Sequence, residues 1–154
     1  IESLKGIEAF VNITGIQAYN HELSTIDVTA LSKLTYLNLA NQKESESGGP
    51  GQREIPGNLD RAGITEIDLS GNPELMFLHV GQNALTSLDV SNNPKLTGVE
   101  AGNNKLTSFD ASTLNQGIAY DVDEDGNIIQ ELTGIQRLDL KHNELVALNL
   151  ANGL

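Results

Sequence analysis

Apolar residues come in pairs separated by one residue, and the pairs return at a fixed spacing. The first member falls at Ile16, Leu37, Leu78, Val99, Tyr120 and Leu138, and the second at Ala18, Leu39, Val80, Ala101, Val122 and Leu140. Ile16 to Leu37, Leu78 to Val99 and Val99 to Tyr120 are each 21 residues, and Tyr120 to Leu138 is a shortened step of 18. Apolar-x-apolar is the alternation of a short strand with one face buried. Six parallel strands are predicted, stacked about 4.8 Å apart. One such unit cannot bury its own apolar face, so the stack is the stable object.

The unit continues with the same phase. An Asn closes the strand at Asn83, Asn104 and Asn143, with His21, Gln42 and Asp125 in its place elsewhere. Its side chain is expected to bond backbone groups of neighbouring turns that have no strand partner. A second half follows, as in "LSTIDVT" (23–29), "ITEIDLS" (64–70), "LTSLDVS" (85–91) and "LTSFDAS" (106–112). Asp27, Asp68, Asp89 and Asp110 then form a column on the back. Asx-turn chemistry accounts for that column, each carboxylate accepting from turn amides; a cation-binding ladder is the alternative.

The unit L-x-x-L-x-L-x-x-N-x-L-x-x-L-D-V-S-x-N-P-x resembles the leucine-rich repeat family, in its short 21-residue bacterial form found in internalin-like surface proteins. The resemblance runs over nearly the whole chain. It implies an α/β-type repeat solenoid, a right-handed superhelix made mostly of β and turns, with the binding surface on the concave sheet. A single domain is expected over 1–154: a cap over 1–12, about six repeats over 13–154, and an inserted loop over 42–60. In "IESLKGIEAFVN", Leu4, Ile7, Phe10 and Val11 share one helical face, and Ser3 can serve as N-cap, so a short capping helix is expected. Leu37 to Leu78 is 41 residues, and the excess, "QKESESGGPGQREIPGNLD", has the composition of a solvated loop or a ligand-contacting arm. The chain opens at Ile1 without an initiator Met, so removal of a leader is expected.

"AYDVDEDGNIIQEL" (119–132) carries two readings. Asp121, Asp123 and Asp125, with Gly126, have the spacing of the first half of a calcium loop. Leu132 stands where the bidentate Glu belongs, which makes any calcium site weak. The other reading is a divergent fifth repeat, with Tyr120 and Val122 inward and Asp121 and Asp123 on the concave face.

Outward columns can be written down from the phase alone. They run Gly15, Tyr36, Phe77, Gly98, Ala119, Arg137; then Gln17, Asn38, His79, Glu100, Asp121, Asp139; then Tyr19, Ala40, Gly81, Gly102, Asp123, Lys141. Tyr19, Tyr36, Phe77 and His79 form an aromatic cluster on the first three strands, and exposed aromatics mark binding hot spots. Glu100, Asp121, Asp123 and Asp139 form an acidic half beside it. Arg137 lies at its far edge. Tyr19, Tyr36, Phe77, His79, Glu100, Asp121, Arg137 and Asp139 are the expected partner-binding residues.

Composition narrows the functions. Net charge is −12, with 9 Lys and Arg against 21 Asp and Glu, so nucleic acid and anionic membrane are unfavourable partners. No apolar run approaches the roughly 18 residues of a membrane span. There is no Cys, hence no disulfide, thiolate site or Cys nucleophile. No nucleophile elbow, zinc-protease motif or phosphate loop appears. Glu100 and Asp121 would make a carboxylate pair, but an open sheet offers glycoside chemistry no pocket. The expectation is a non-enzymatic protein-protein interaction module without a cofactor, secreted from or displayed on a bacterium as the resemblance implies. A glycan-binding or adhesion module using Tyr19, Tyr36 and Phe77, and a structural spacer, are the alternatives.

Overall fold

The structure is a computed structural model that describes residues 3–42, 63–114, 118–122 and 128–150. Three-residue strands recur where the apolar pairs predict them: β1 (Gly15–Gln17), β2 (Tyr36–Asn38), β3 (Phe77–His79) and β4 (Gly98–Glu100). β5 (Ser108–Asp110) lies in the second half of a repeat. β6 (Ile118–Val122) and β7 (Ile128–Thr133) follow, then β8 (Arg137–Asp139) and β9 (Ala147–Asn149). The main sheet is parallel, in the order β1-β2-β3-β4-β8. Its central register is Ile16, Leu37, Leu78, Val99, Leu138. β5 and β9 make a separate parallel pair.

Between these strands lies one apolar column of Leu, Ile and Val. Leu23, Leu34, Leu37, Leu39, Leu75, Leu85, Leu96, Val99 and Leu106 have no solvent exposure. Each repeat hands its backbone to the next in the same way. The carbonyl of Thr14 accepts from the amides of Thr35 and Tyr36, that of Thr35 from Met76 and Phe77, and that of Thr97 from Gln136 and Arg137.

Where the chain turns out of the sheet, a side-chain amide does the pairing. Asn83 accepts from the Ile64 amide (3.0 Å) and donates to the carbonyls of Leu39 (2.9 Å) and Val80 (3.1 Å). Asn104 and Asn143 repeat this against Leu85 and Leu106. Gln42 fills the same place, accepting from Leu23 at 3.1 Å and donating to Ala18 and Leu39. The residue just before each turns left-handed: Asn20, Asn41, Gln82, Asn103 and His142, with φ between 53 and 58°. Asn tolerates that region better than most residues, which explains its recurrence. A second ladder runs along the back, where Asn72 donates to Val28 (2.8 Å) and Leu31 (3.0 Å), and Asn93 to Leu69 and Asn72.

Three expectations are corrected. The main sheet has five strands, because Tyr120 and Val122 do not make its fifth. β6 pairs antiparallel with β7, and β4 pairs directly with β8. Val99 to Leu138 is 39 residues, a regular 21 plus an insertion of 18 that carries the hairpin. Asn143, rather than Asp125, therefore follows Asn104 in the ladder, donating to Ala101 at 3.0 Å. At the N-terminus the expected helix is only a 3₁₀ turn, Ile7–Ala9. Gly6 sits at φ 99°, which breaks any α-helix there, and Ser3 accepts from the Lys5 amide instead of capping the turn. Gln42 belongs to the ladder and not to the loop; 43–60 of the expected loop lies outside the described residues.

Candidate functional site

Parallel register places the outward residues of β1, β2, β3, β4 and β8 in straight columns. Tyr36 lies between Gly15 and Phe77, and Phe77 between Tyr36 and Gly98. The Phe77 ring lies over Gly98: a Cβ built there would sit 2.7 Å from a ring carbon. Glycine at 98 thus makes room for an aromatic plate that remains 43% exposed. Tyr19, just beyond β1, is 48% exposed. A soluble surface shows such side chains singly, but here they share one face.

The neighbouring column is ionic. Glu100 receives His79 Nε2 at 3.3 Å and Arg137 Nε at 2.8 Å. Asp139 accepts from the Lys141 amide at 3.1 Å and pairs with its ammonium at 3.1 Å. Its carboxyl is held below the usual range, first by the Lys141 amide and then by the Lys141 side chain. Glu100 and Asp139, the two members of the expected acidic half on this sheet, each sit against basic side chains. Between Tyr19 and His79 opens a shallow cavity of about 270 Å³ over Ala40 and Gly81.

Of the expected partner-binding residues, Tyr19, Tyr36, Phe77, His79, Glu100, Arg137 and Asp139 come together on this face. Asp121 does not, since it lies on β6 in the hairpin. Of the expected calcium ligands, Asp123 and Asp125 lie outside the described residues. Among the described residues, no three His, Asp or Glu converge as a metal site. The left-handed amides Asn20, Asn41 and Gln82 escaped the sequence reading as site residues. Their signal was a polar residue directly before each ladder position.

On the back, Asp27, Asp68, Asp89 and Asp110 each accept from the amide two residues on, at 2.8 to 3.0 Å. Hydroxyls add to this, led by Thr29 on Asp27, Ser70 on Asp68 and Ser112 on Asp110, whereas on Asp89 the Ser91 amide dominates. All four carboxyls are held below their ordinary value of 3.8, against partial desolvation in each case and, at Asp27 and Asp89, against the repulsion of neighbours in the column. A depressed carboxyl contributes stability that is present above the unfolded value and lost as pH falls through the folded one. The melting temperature is expected to drop steadily as pH falls below about 4. Ser70→Ala with Ser112→Ala should flatten that dependence. An unchanged acid slope in thermal melts would contradict it.

Parallel three-residue strands, an amide ladder and a 21-residue step define a leucine-rich repeat solenoid. The same fold is found in internalin F of Listeria monocytogenes, with a TM-score of 0.64 at 15% identity over 99% of this chain and 39% of that one. Two further structures are similar by weaker superposition. They are the functional domain of InlJ from L. monocytogenes (TM-score 0.45, 22% identity, 97% of this chain and 34% of that) and the APL1 leucine-rich repeat domain (TM-score 0.47, 22% identity, 94% and 34%). This chain thus spans between 34% and 39% of those relatives' lengths. No family model and no curated protein matches the sequence. Leucine-rich repeat folds generally serve as protein-interaction modules, typically without catalysis. Among the described residues, no helix is long and apolar enough to cross a membrane.

Proposed function

We propose that this chain is the protein-binding module of an exported bacterial protein, and that it engages its partner through the concave sheet. One observation carries the reading: Tyr19, Tyr36 and Phe77 stand on the same face as the Glu100–Arg137 pair. Aromatic rings and Arg are the residues that dominate interface energies, with polar pairs fixing register around them. The solenoid holds these groups on a rigid sheet, so little ordering cost remains to be met on binding. Export is supported by the fold likeness to the listerial internalin, and the absence of Cys is compatible with it.

The test is capture of a partner by the immobilised chain, followed by titration against variants. Tyr36→Ala with Phe77→Ala is expected to weaken binding roughly a hundredfold, the loss of about 3 kcal/mol carried by two hot-spot rings. Ser87→Ala, on the opposite side of the solenoid, should change nothing. Circular dichroism melts check that the double variant is folded. Equal affinity of the folded double variant and the parent would remove the concave face from consideration.

A further inference from the structure

The same face carries a trough that shares Tyr19 with the protein-partner reading but is built mainly from residues that reading does not invoke. Its floor comes from Ala40 and Gly81, two small residues that follow Tyr19 in one column. Tyr19 closes one end with a half-exposed ring, and the His79 ring lies against Gly81, its Nε2 3.5 Å from where a Cβ would stand. Amides line the walls, and they have bonding capacity to spare. Asn38 uses its oxygen to accept from the Ala40 amide at 3.1 Å, which leaves its NH₂ group. Asn41 donates to the Asn20 oxygen, which leaves the Asn41 oxygen and the Asn20 NH₂ group. Gln82, also on the wall, has no side-chain hydrogen bond among the described residues.

This lining selects by chemistry. It contains no Asp, Glu, Lys or Arg, and its one titratable ring besides Tyr19, His79, is turned to Glu100. An anion finds no counter-charge here, on a chain already at −12. A cation finds no carboxylate lining the trough. An apolar ligand would cover these amides without pairing them. The match is a neutral ligand with several hydroxyls, each both donor and acceptor, and one apolar face for a ring. A volume of about 270 Å³ holds one small ring rather than a drug-sized molecule.

We propose that this trough is a subsite for a single neutral sugar ring. Tyr19 stacks on its apolar face, Asn38, Asn41 and Gln82 take its hydroxyls, and Gly81 lets the ring approach the backbone. The proposal does not rest on the protein-partner reading. The test titrates the whole isotope-labelled chain with glucose, galactose, mannose, fucose and N-acetylglucosamine, following the amide signals of Asn38, Gly81 and Gln82. At least one sugar should shift those signals saturably, with a millimolar dissociation constant. Tyr19→Ala should weaken that binding roughly tenfold, the worth of one ring contact, and Gln82→Ala should weaken it too. The Tyr36→Ala, Phe77→Ala double variant should bind the sugar as the parent does, so the two readings can fail separately. No saturable shift with any of the five sugars, or shifts indifferent to both Tyr19→Ala and Gln82→Ala, would overturn the proposal.

Discussion

Asn83→Ala is expected to lower stability by about 3 kcal/mol, out of the roughly 5–15 kcal/mol a domain possesses. The size follows from how the ladder shares its bonds. Carbonyls in it are doubly served: Val80 accepts from Asn83 at 3.1 Å and from Asn104 at 3.0 Å, and Leu39 accepts from Gln42 and Asn83. Each carbonyl keeps one donor when the other goes. The amide of Ile64 has no such reserve. Among the described residues it donates to Asn83 Oδ1 at 3.0 Å, in a residue only 1% exposed. Truncation orphans that N–H, at about 1–3 kcal/mol, and removes two further bonds at about 1 kcal/mol each. Asn83→Asp sharpens the test. It keeps the acceptor for Ile64 but turns a carboxylate oxygen toward the carbonyls of Leu39 and Val80, so at neutral pH it should be no better than Ala. Urea denaturation at pH 7 measures both. A loss under about 1 kcal/mol for either would mean that the ladder does not hold the turns together.

The ladder was legible in the sequence because it shares the period of the apolar pairs. Once Ile16, Leu37, Leu78 and Val99 are aligned, register, outward columns and the pairing of Asp27, Asp68, Asp89 and Asp110 with turn amides all follow from phase. The same regularity misled at Tyr120. That residue stands 21 after Val99 and has an apolar neighbour at Val122, so it satisfied the pattern by position. The competing signal was also present. Asp125-Gly126 between two alternating apolar runs is a hairpin signature, and β6 and β7 pair antiparallel around it. Arithmetic would have chosen between them, since Leu37 to Leu78 and Val99 to Leu138 both exceed 21, by 20 and 18 residues. The two insertions enter at different points of the repeat, one after Gln42 and the other after Leu114. At the site, the aromatic column was legible because it depends on backbone register alone. The Glu100 pairings with His79 and Arg137 were not, because they depend on side-chain rotamers that composition does not fix.

Gly71→Ala is expected to cost about 3 kcal/mol or more, by a route unrelated to cavity formation. Gly71 sits in the back turn, directly against the preceding repeat. A Cβ added there would lie 1.8 Å from the Thr29 carbonyl oxygen, 2.6 Å from its carbonyl carbon and 2.8 Å from its Cα. All three are backbone atoms, so no side chain can swing aside. Neither turn is free to retreat. Thr29 is tied to Asp27 through its amide at 3.0 Å and its hydroxyl at 2.7 Å. The residue after Gly71, Asn72, is fully buried and donates to Val28 and Leu31 at 2.8 and 3.0 Å. Lifting Gly71 by the ångström or more that a methyl needs pulls those two bonds apart. It strands a buried amide whose oxygen already has no partner among the described residues. Asn92 provides the control, since it occupies the same place one repeat later and is exposed. Asn92→Ala should stay within about 0.5 kcal/mol of the parent. Urea midpoints for the two variants should therefore separate widely at equal slope. A Gly71→Ala midpoint matching that of Asn92→Ala would show that the repeats are not stacked this closely at Thr29.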